Sequence, residues 1–309
     1  LTQSEGQQSA VIAAMVLGDK HAISQETKDA YSVSGASHIL ALSGLHLSII
    51  YAVLMLLFGR SLKWRWLSQS VILLTIWMYV FLVGLGSSVV RSAVMLSIYS
   101  LCIVSGRDKA SVNALSLAAI CLLVANPLCL WDIGFEMSFM AVLGILMFYK
   151  HFYRAIPWMR RQKSLRGWTQ GLPLKRYPMH ILQAAWGMIC VSVAAQIGTA
   201  PLVTYYFGHF PCYFLLTNFI VIPCATIIIY LALAILITTA IPSLNALLLS
   251  CIGYVSAFLN NAVIAALPYA SIENIHTNDI EIVCTYLLIA IACIVYSYVR
   301  KLRGLIKKG

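Results

Sequence analysis

Charge is what this sequence lacks. Only 10% of its 309 residues are Asp, Glu, Lys or Arg, where a soluble domain carries about 25%. Hydrophobic residues make up 61%. A core that apolar has no polar surface to cover it in water, so lipid must be its solvent. Period-two alternation is also missing, which excludes barrel strands. The apolar runs are continuous and recur at about 20 residues, the length a membrane helix needs. No Cys-x-x-Cys pair occurs among the nine cysteines. Cys102, Cys121, Cys190, Cys224, Cys251, Cys284 and Cys293 sit inside apolar runs and read as small buried residues. Cys129 and Cys212 lie near span ends, and nothing requires them to pair. A basic leader is absent as well. The first apolar stretch, Ala10–Leu17, is short and follows a polar, non-basic lead, a poor signal peptide. A start at Leu1 rather than Met gives the expectation of a piece cut from a longer protein.

What is there reads as an all-α polytopic membrane protein. Nine spans are expected, at Ile39–Phe58, Leu67–Leu85, Val89–Ser105, Val112–Ala125, Ile133–Tyr149, Ile181–Val203, Tyr213–Ala240, Leu244–Leu267 and Ile280–Val299. Most prolines fall at or between span ends. Pro201 and Pro223 do not, so discontinuous or kinked segments are expected near both. Residues 1–37 read as an extracytoplasmic or interfacial lead-in, with Ala10–Leu17 as a short interfacial helix. Residues 38–309 read as the polytopic domain.

The basic residues give a direction. They follow the first span (Arg60, Lys63, Arg65), the third (Arg107, Lys109), the fifth (Lys150 to Arg176) and the ninth (Arg300 to Lys308). Only Lys20, Lys28 and Arg91 of the 21 Lys and Arg lie outside these groups. With nine spans all four groups share one side, and the positive-inside rule makes that side, and the C-terminus, cytoplasmic. Topology thus accounts for nearly all of the net charge of +11, which would otherwise suggest nucleic-acid binding.

Polar groups inside spans are costly and are the default functional candidates. Ser37 to His46 places His38, Ser43, Gly44 and His46 at the outer end of the first span. Close helix packing, a pore-lining or gating role, and a zinc site are the three readings of that segment. Arg91 is the only cation inside an expected span, and Gly84, Gly86, Ser87 and Ser88 before it would open the helix. Asp132 and Glu136 stand four apart at the outer end of the fifth span, and either is a partner for Arg91. Gln196, the Gly-Thr-Ala-Pro run ending at Pro201, and Asn218 form a fourth group. The aromatic run Tyr205, Tyr206, Phe207 is either an interfacial belt or a stacking surface for bases.

These stretches, in this order, resemble the competence membrane domain of ComEC-type DNA-internalisation proteins. The matching residues are Leu17-Gly18-Asp19, His38 to His46, Arg91-Ser92-Ala93, Asn126-Pro127, Asp132 to Phe139, Ala200-Pro201-Leu202, Asn218 and Pro223. Glu136 departs from the resemblance, because the family pattern has a glutamine there. Two flanking modules associated with the family, one oligonucleotide-binding-like and one metallo-β-lactamase-like, are not matched, and no His-x-His-x-Asp-His motif occurs in the 309 residues. The resemblance implies a bacterial cytoplasmic-membrane channel for single-stranded DNA, with membrane lipid around it. It calls for no cofactor, no metal and no catalytic residue. It implies a cytoplasmic translocase or strand-binding protein as partner, with an extracytoplasmic DNA receptor and a homo-oligomeric assembly as further expectations. The alternatives from other classes are an intramembrane metal-dependent hydrolase using His38, His46, Asp132 and Glu136, and a small-solute transporter. The transporter would be favoured by internal repeats, and none is evident.

Overall fold

The computed structural model describes residues 2–19, 21–40, 42–58, 65–106, 111–156, 177–265, 271–272, 275 and 277–306. Residues 157–176, with six of the eighteen basic residues expected to set orientation, lie outside the described residues, as do Arg60, Lys63, Arg107, Lys109, Lys307 and Lys308. The described chain is helical: α1 (Thr2–Leu17), α2 (Gln25–Val33), α3 (Ser37–Leu40), α4 (Gly44–Phe58), α5 (Arg65–Leu82), α6 (Ser87–Val104) and α7 (Val112–Ala125). A 3-10 turn, Pro127–Trp131, leads into α8 (Ile133–Tyr153). Then come α9 (Tyr177–Phe207), α10 (Phe214–Ile237), α11 (Pro242–Ala265) and α12 (Asp279–Ile306). One antiparallel pairing, Phe210 with Ile272 and Pro211 with Ser271, ties the α9–α10 connection to the chain before α12.

Six of these helices, α5, α6 and α8 to α11, are long and apolar enough to cross a membrane among the described residues, so the protein is a multi-pass membrane protein. Two shorter apolar helices, α4 and α7, occupy two more expected positions. The 28-residue α12 occupies the last. Large apolar side chains such as Leu74, Leu82, Val124, Ile237, Tyr254 and Leu288 point outward, as a lipid-solvated surface requires.

The breaks expected at Pro201 and Pro223 do not occur. Both prolines lie inside continuous helices, α9 and α10. A proline removes one backbone donor and frees a carbonyl one turn back. For Pro201 that carbonyl belongs to Ile197, and the carbonyls beside it take on side-chain donors. Thr204 Oγ1 donates to Ala200 O and Pro201 O at 3.1 and 2.9 Å, and Tyr286 on α12 donates to Gly198 O at 2.8 Å. The interruption falls elsewhere, between α3 and α4, inside the His38–His46 segment.

Two buried clusters organise the bundle. The first joins Val11, Ala14 and Met15 of α1, Tyr31 of α2 and Ile39 of α3 to Val221, Ala225 and Ile228 of α10 and Leu259 of α11. The lead-in helices therefore share a core with α10 and α11, and Tyr31 donates to Asn260 Oδ1 at 2.6 Å. The second cluster joins α4, α5 and α6 through Leu47, Ile72, Ile76, Val89 and Ala93, and takes in Ile229 of α10. Adjacent residues Ile228 and Ile229 thus face different clusters, which makes α10 the joint between them.

The α8–α9 pair is built on small residues. A Cβ on Gly198 would overlap Met140 O, and one on Gly144 would overlap Ala194 O, so both backbones approach where only hydrogen fits. The same Cβ placed on Gly253 of α11 meets nothing within 4 Å. Gly198→Ala is expected to destabilise the protein by about 1–3 kcal/mol, the usual cost of overpacking. Gly253→Ala is expected to be neutral or slightly stabilising. Unfolding in mixed detergent followed by circular dichroism compares the two, and equal midpoints would contradict the close crossing.

Candidate functional site

The site is assembled where α4 and α6 begin, α8 begins and α9 ends. The turn into α6 sets its position. Gly84 N donates to Phe81 O and Leu85 N to Val80 O, the paired bonds of a Schellman ending, with Gly84 at φ 95°. Gly86 then caps α6. The Gly84-Leu85-Gly86 run is a tight hairpin between helices, and it delivers Arg91 four residues after Ser87, about 6 Å along the axis.

Arg91 is 5% exposed, and its Nη1 donates to Asp132 Oδ2 at 2.7 Å. Asp132 does two jobs. Its other oxygen accepts from Gly134 N at 2.9 Å and caps α8. The guanidinium lies so close to the start of α8 that a Cβ on Gly134 would sit 2.6 Å from Arg91 Nη2. Of the two carboxylates expected as partners, Asp132 holds Arg91. Glu136, one turn on, instead accepts from Tyr206 Oη on α9 at 2.9 Å.

The His38–His46 segment divides in two. Ser43 stands at the N-cap of α4, since Leu47 N donates to Ser43 O. His46, the third residue of the helix, reaches back so that its Nδ1 accepts from Ser43 N at 3.0 Å, with Ser43 Oγ at 3.2 Å. This is a capping box in which histidine takes the place of Glu or Gln. It fixes the neutral tautomer as the one carrying hydrogen on Nε2, and that atom is buried without a partner among the described residues. Gly44 presses on α6, where its Cβ would lie 2.8 Å from Ser92 Oγ. His38 turns away, with Nδ1 3.1 Å from Gly35 O.

The remaining candidates lie apart or further along α9. Tyr205 and Tyr206 meet edge to face at 4.9 Å, and Phe207 is exposed and packs on His209. Gln196 is half-buried in α9, and Pro201 is buried. Asn218 of α10 reaches Ser192 of α9 at 3.5 Å. Among the described residues no three His, Cys, Asp or Glu side chains gather as metal ligands. Asp132 is held by Arg91 and Glu136 by Tyr206, so these two carboxylates of the hydrolase reading are each engaged by another side chain. Sequence reading missed Ser92, Gly134 and Tyr286 as site neighbours. Ser92 and Gly134 lie inside the resembling stretches and were within reach. Tyr286 carries no local signal.

A family model described as "Competence protein" matches residues 15–299. "ComE operon protein 3" of Bacillus subtilis (strain 168) is 28% identical over 69% of this chain and 24% of its own length. "Uncharacterized protein YcaI" of Escherichia coli (strain K12) is 24% identical over 64% of this chain and 28% of its own length. The chain spans about a quarter of the length of these curated relatives. No solved structure matches.

Removing Asp132 leaves the buried Arg91 charge uncompensated, at a cost of about 3–5 kcal/mol, and removing Arg91 costs less because Asp132 keeps 39% of its side chain accessible. Asp132→Asn is expected to lower the unfolding midpoint markedly, and Arg91→Ala to lower it less. The exchange of Arg91 for Asp with Asp132 for Arg is expected to recover part of the loss, less the lost cap on α8. Glu136→Gln and Tyr206→Phe are expected to cost about 1.5–3 kcal/mol each and to be strongly non-additive. A double-mutant cycle on detergent unfolding measures both couplings, and additive effects would dissolve the pairs as energetic units.

Proposed function

The chain belongs to the competence protein family, and from that premise we propose that it forms the membrane channel through which single-stranded DNA enters the cytoplasm during natural transformation. The observation that supports this most is where its polar groups collect. His46, Arg91, Asp132, Glu136 and Tyr206 join α4, α6, α8 and α9 at one end of the bundle. On the nine-crossing reading with a cytoplasmic C-terminus, that end faces outward, where an incoming strand first meets the protein.

Energetics add a partner. Each charge moved against the membrane potential costs about 2.3 kcal/mol per 100 mV. A passive conduit supplies no such work for a polyanion entering a negative interior. The reading therefore calls for a cytoplasmic translocase or strand-binding protein, and the basic loop after α8 is the surface where it would act. An extracytoplasmic receptor and self-association of the chain belong to the same proposal.

Complementation of a gene deletion, with labelled DNA followed into the cytoplasm, tests the role. Arg91→Ala, Asp132→Asn and His46→Ala are expected to cut uptake at least tenfold at normal membrane levels of the protein. Normal uptake in the deletion strain would end the reading. Alkaline phosphatase fusions test the orientation separately. Fusions after Asn126 and His209 are expected to be active outside, and fusions after Phe58 and Ile306 to be inactive. The reverse pattern, or a mixed one, would overturn nine crossings with a cytoplasmic C-terminus.

A further inference from the structure

A cavity of about 1010 Å³ lies over α6, between α4 on one side and α7 and α8 on the other. Its walls are mostly aliphatic and thioether groups, among them Met55, Met95, Leu115 and Val142. Arg91 lines it, with Ser92 and Ser48 as polar companions. Arg91 is buried, and its Nε has no hydrogen-bond partner among the described residues although Nη1 is paired with Asp132. A large apolar space with a few placed polar groups is the form of a site for a whole small ligand.

The walls also favour one source. α4 has 15 residues and α7 has 14, so they span about 22 and 21 Å. A bilayer's hydrocarbon is about 30 Å thick. Two of the walls therefore fall short of the lipid thickness, which leaves acyl chains against the cavity. Water alone suits the space poorly, because apolar cavities stay dry. A nucleic-acid strand suits it worse, because its successive phosphates would meet one open donor, Arg91 Nε, and otherwise apolar walls. A ligand with one anionic head and an apolar tail matches both parts.

We propose that this cavity holds one anionic membrane lipid, with its acidic headgroup at Arg91 and an acyl chain along the wall of Met55, Met95 and Leu115. Arg91 lies only about 6 Å from the start of α6, a depth that a headgroup at the membrane surface reaches. The inference stands independently of the DNA-uptake reading, since it uses only the cavity, its charge and the lengths of its walls.

Native mass spectrometry of the whole chain tests it, after mild extraction from bilayers of phosphatidylglycerol and phosphatidylethanolamine. One retained phosphatidylglycerol per chain is expected. Ala52 faces the cavity with an exposed side chain, so Ala52→Trp fills the space without entering a packed core. That variant is expected to lower retention at least tenfold with unchanged helical circular dichroism. Arg91→Lys is expected to keep the preference for the anionic lipid and Arg91→Gln to lose it. Should Arg91→Gln fail to fold, Ala52→Trp decides alone. Retention unaffected by Ala52→Trp, or equal retention of phosphatidylethanolamine, overturns the proposal. So does a single-stranded oligonucleotide that displaces the lipid and is held in its place.

Discussion

The bundle depends on keeping one buried cation satisfied. Arg91 sits among apolar helices, where a lone charge is prohibitive, and Asp132 answers it from α8. Because the same carboxylate caps α8, the start of that helix is fixed relative to α6. Gly134 leaves room for the guanidinium, and the Gly84–Gly86 turn brings α6 to the right depth. With Asp132 committed, Glu136 is free to bind Tyr206, which fixes the end of α9 on α8. Further along, Gly144 and Gly198 let the two backbones close, and the Gly198 carbonyl receives Tyr286 of α12. One ion pair is thus the first link in a chain of contacts that runs from α6 to α12.

The other half of the molecule is held differently. There apolar burial acts without charge, through α1 to α3 packed on α10 and α11. The two regimes meet at α10, whose adjacent isoleucines serve separate clusters. The interruption between α3 and α4 lies at the same junction, with Leu40 in one cluster and Leu42 in the other. The His46 capping box closes the exposed start of α4 there. Backbone donors at a helix start that water would satisfy in solution are here satisfied by a side chain.

Much of this was legible in the sequence, and the failures have physical causes. The helices lie where the apolar runs placed them, because length and composition decide a span whatever its neighbours. Arg91 and its acidic partners were visible because charges are so scarce. The choice of Asp132 over Glu136 was not, since it turns on which oxygen also caps α8 and on the gap at Gly134. Discontinuous or kinked segments were expected at Pro201 and Pro223 because proline removes a ladder bond, yet both helices are continuous there. Around Pro201 neighbouring carbonyls of the same helix accept from Thr204 and from Tyr286 of α12, and the helix runs on. Burial of the lead-in escaped notice because its partners, α10 and α11, lie some 200 residues away along the chain, and no local pattern announces a tertiary contact.

On the proposed reading, the pairing of charges bears on how the bundle meets a polyanion. A conduit must attract its cargo enough to admit it and hold it loosely enough to release it. A bare buried arginine would bind a phosphate tightly, for the same reason that it costs so much to bury. Paired with Asp132, Arg91 presents a dipole with its carboxylate end the more exposed, the two side chains being 7% and 39% accessible. Glu136, masked by Tyr206, likewise offers a hydrogen-bonded group where a bare charge would repel. On the proposed reading these pairs lower the field a passing strand feels, so the directional pull must come from outside the bundle. The polar end then guides and orients, the apolar walls exclude water and ions, and the work of transport falls to a partner.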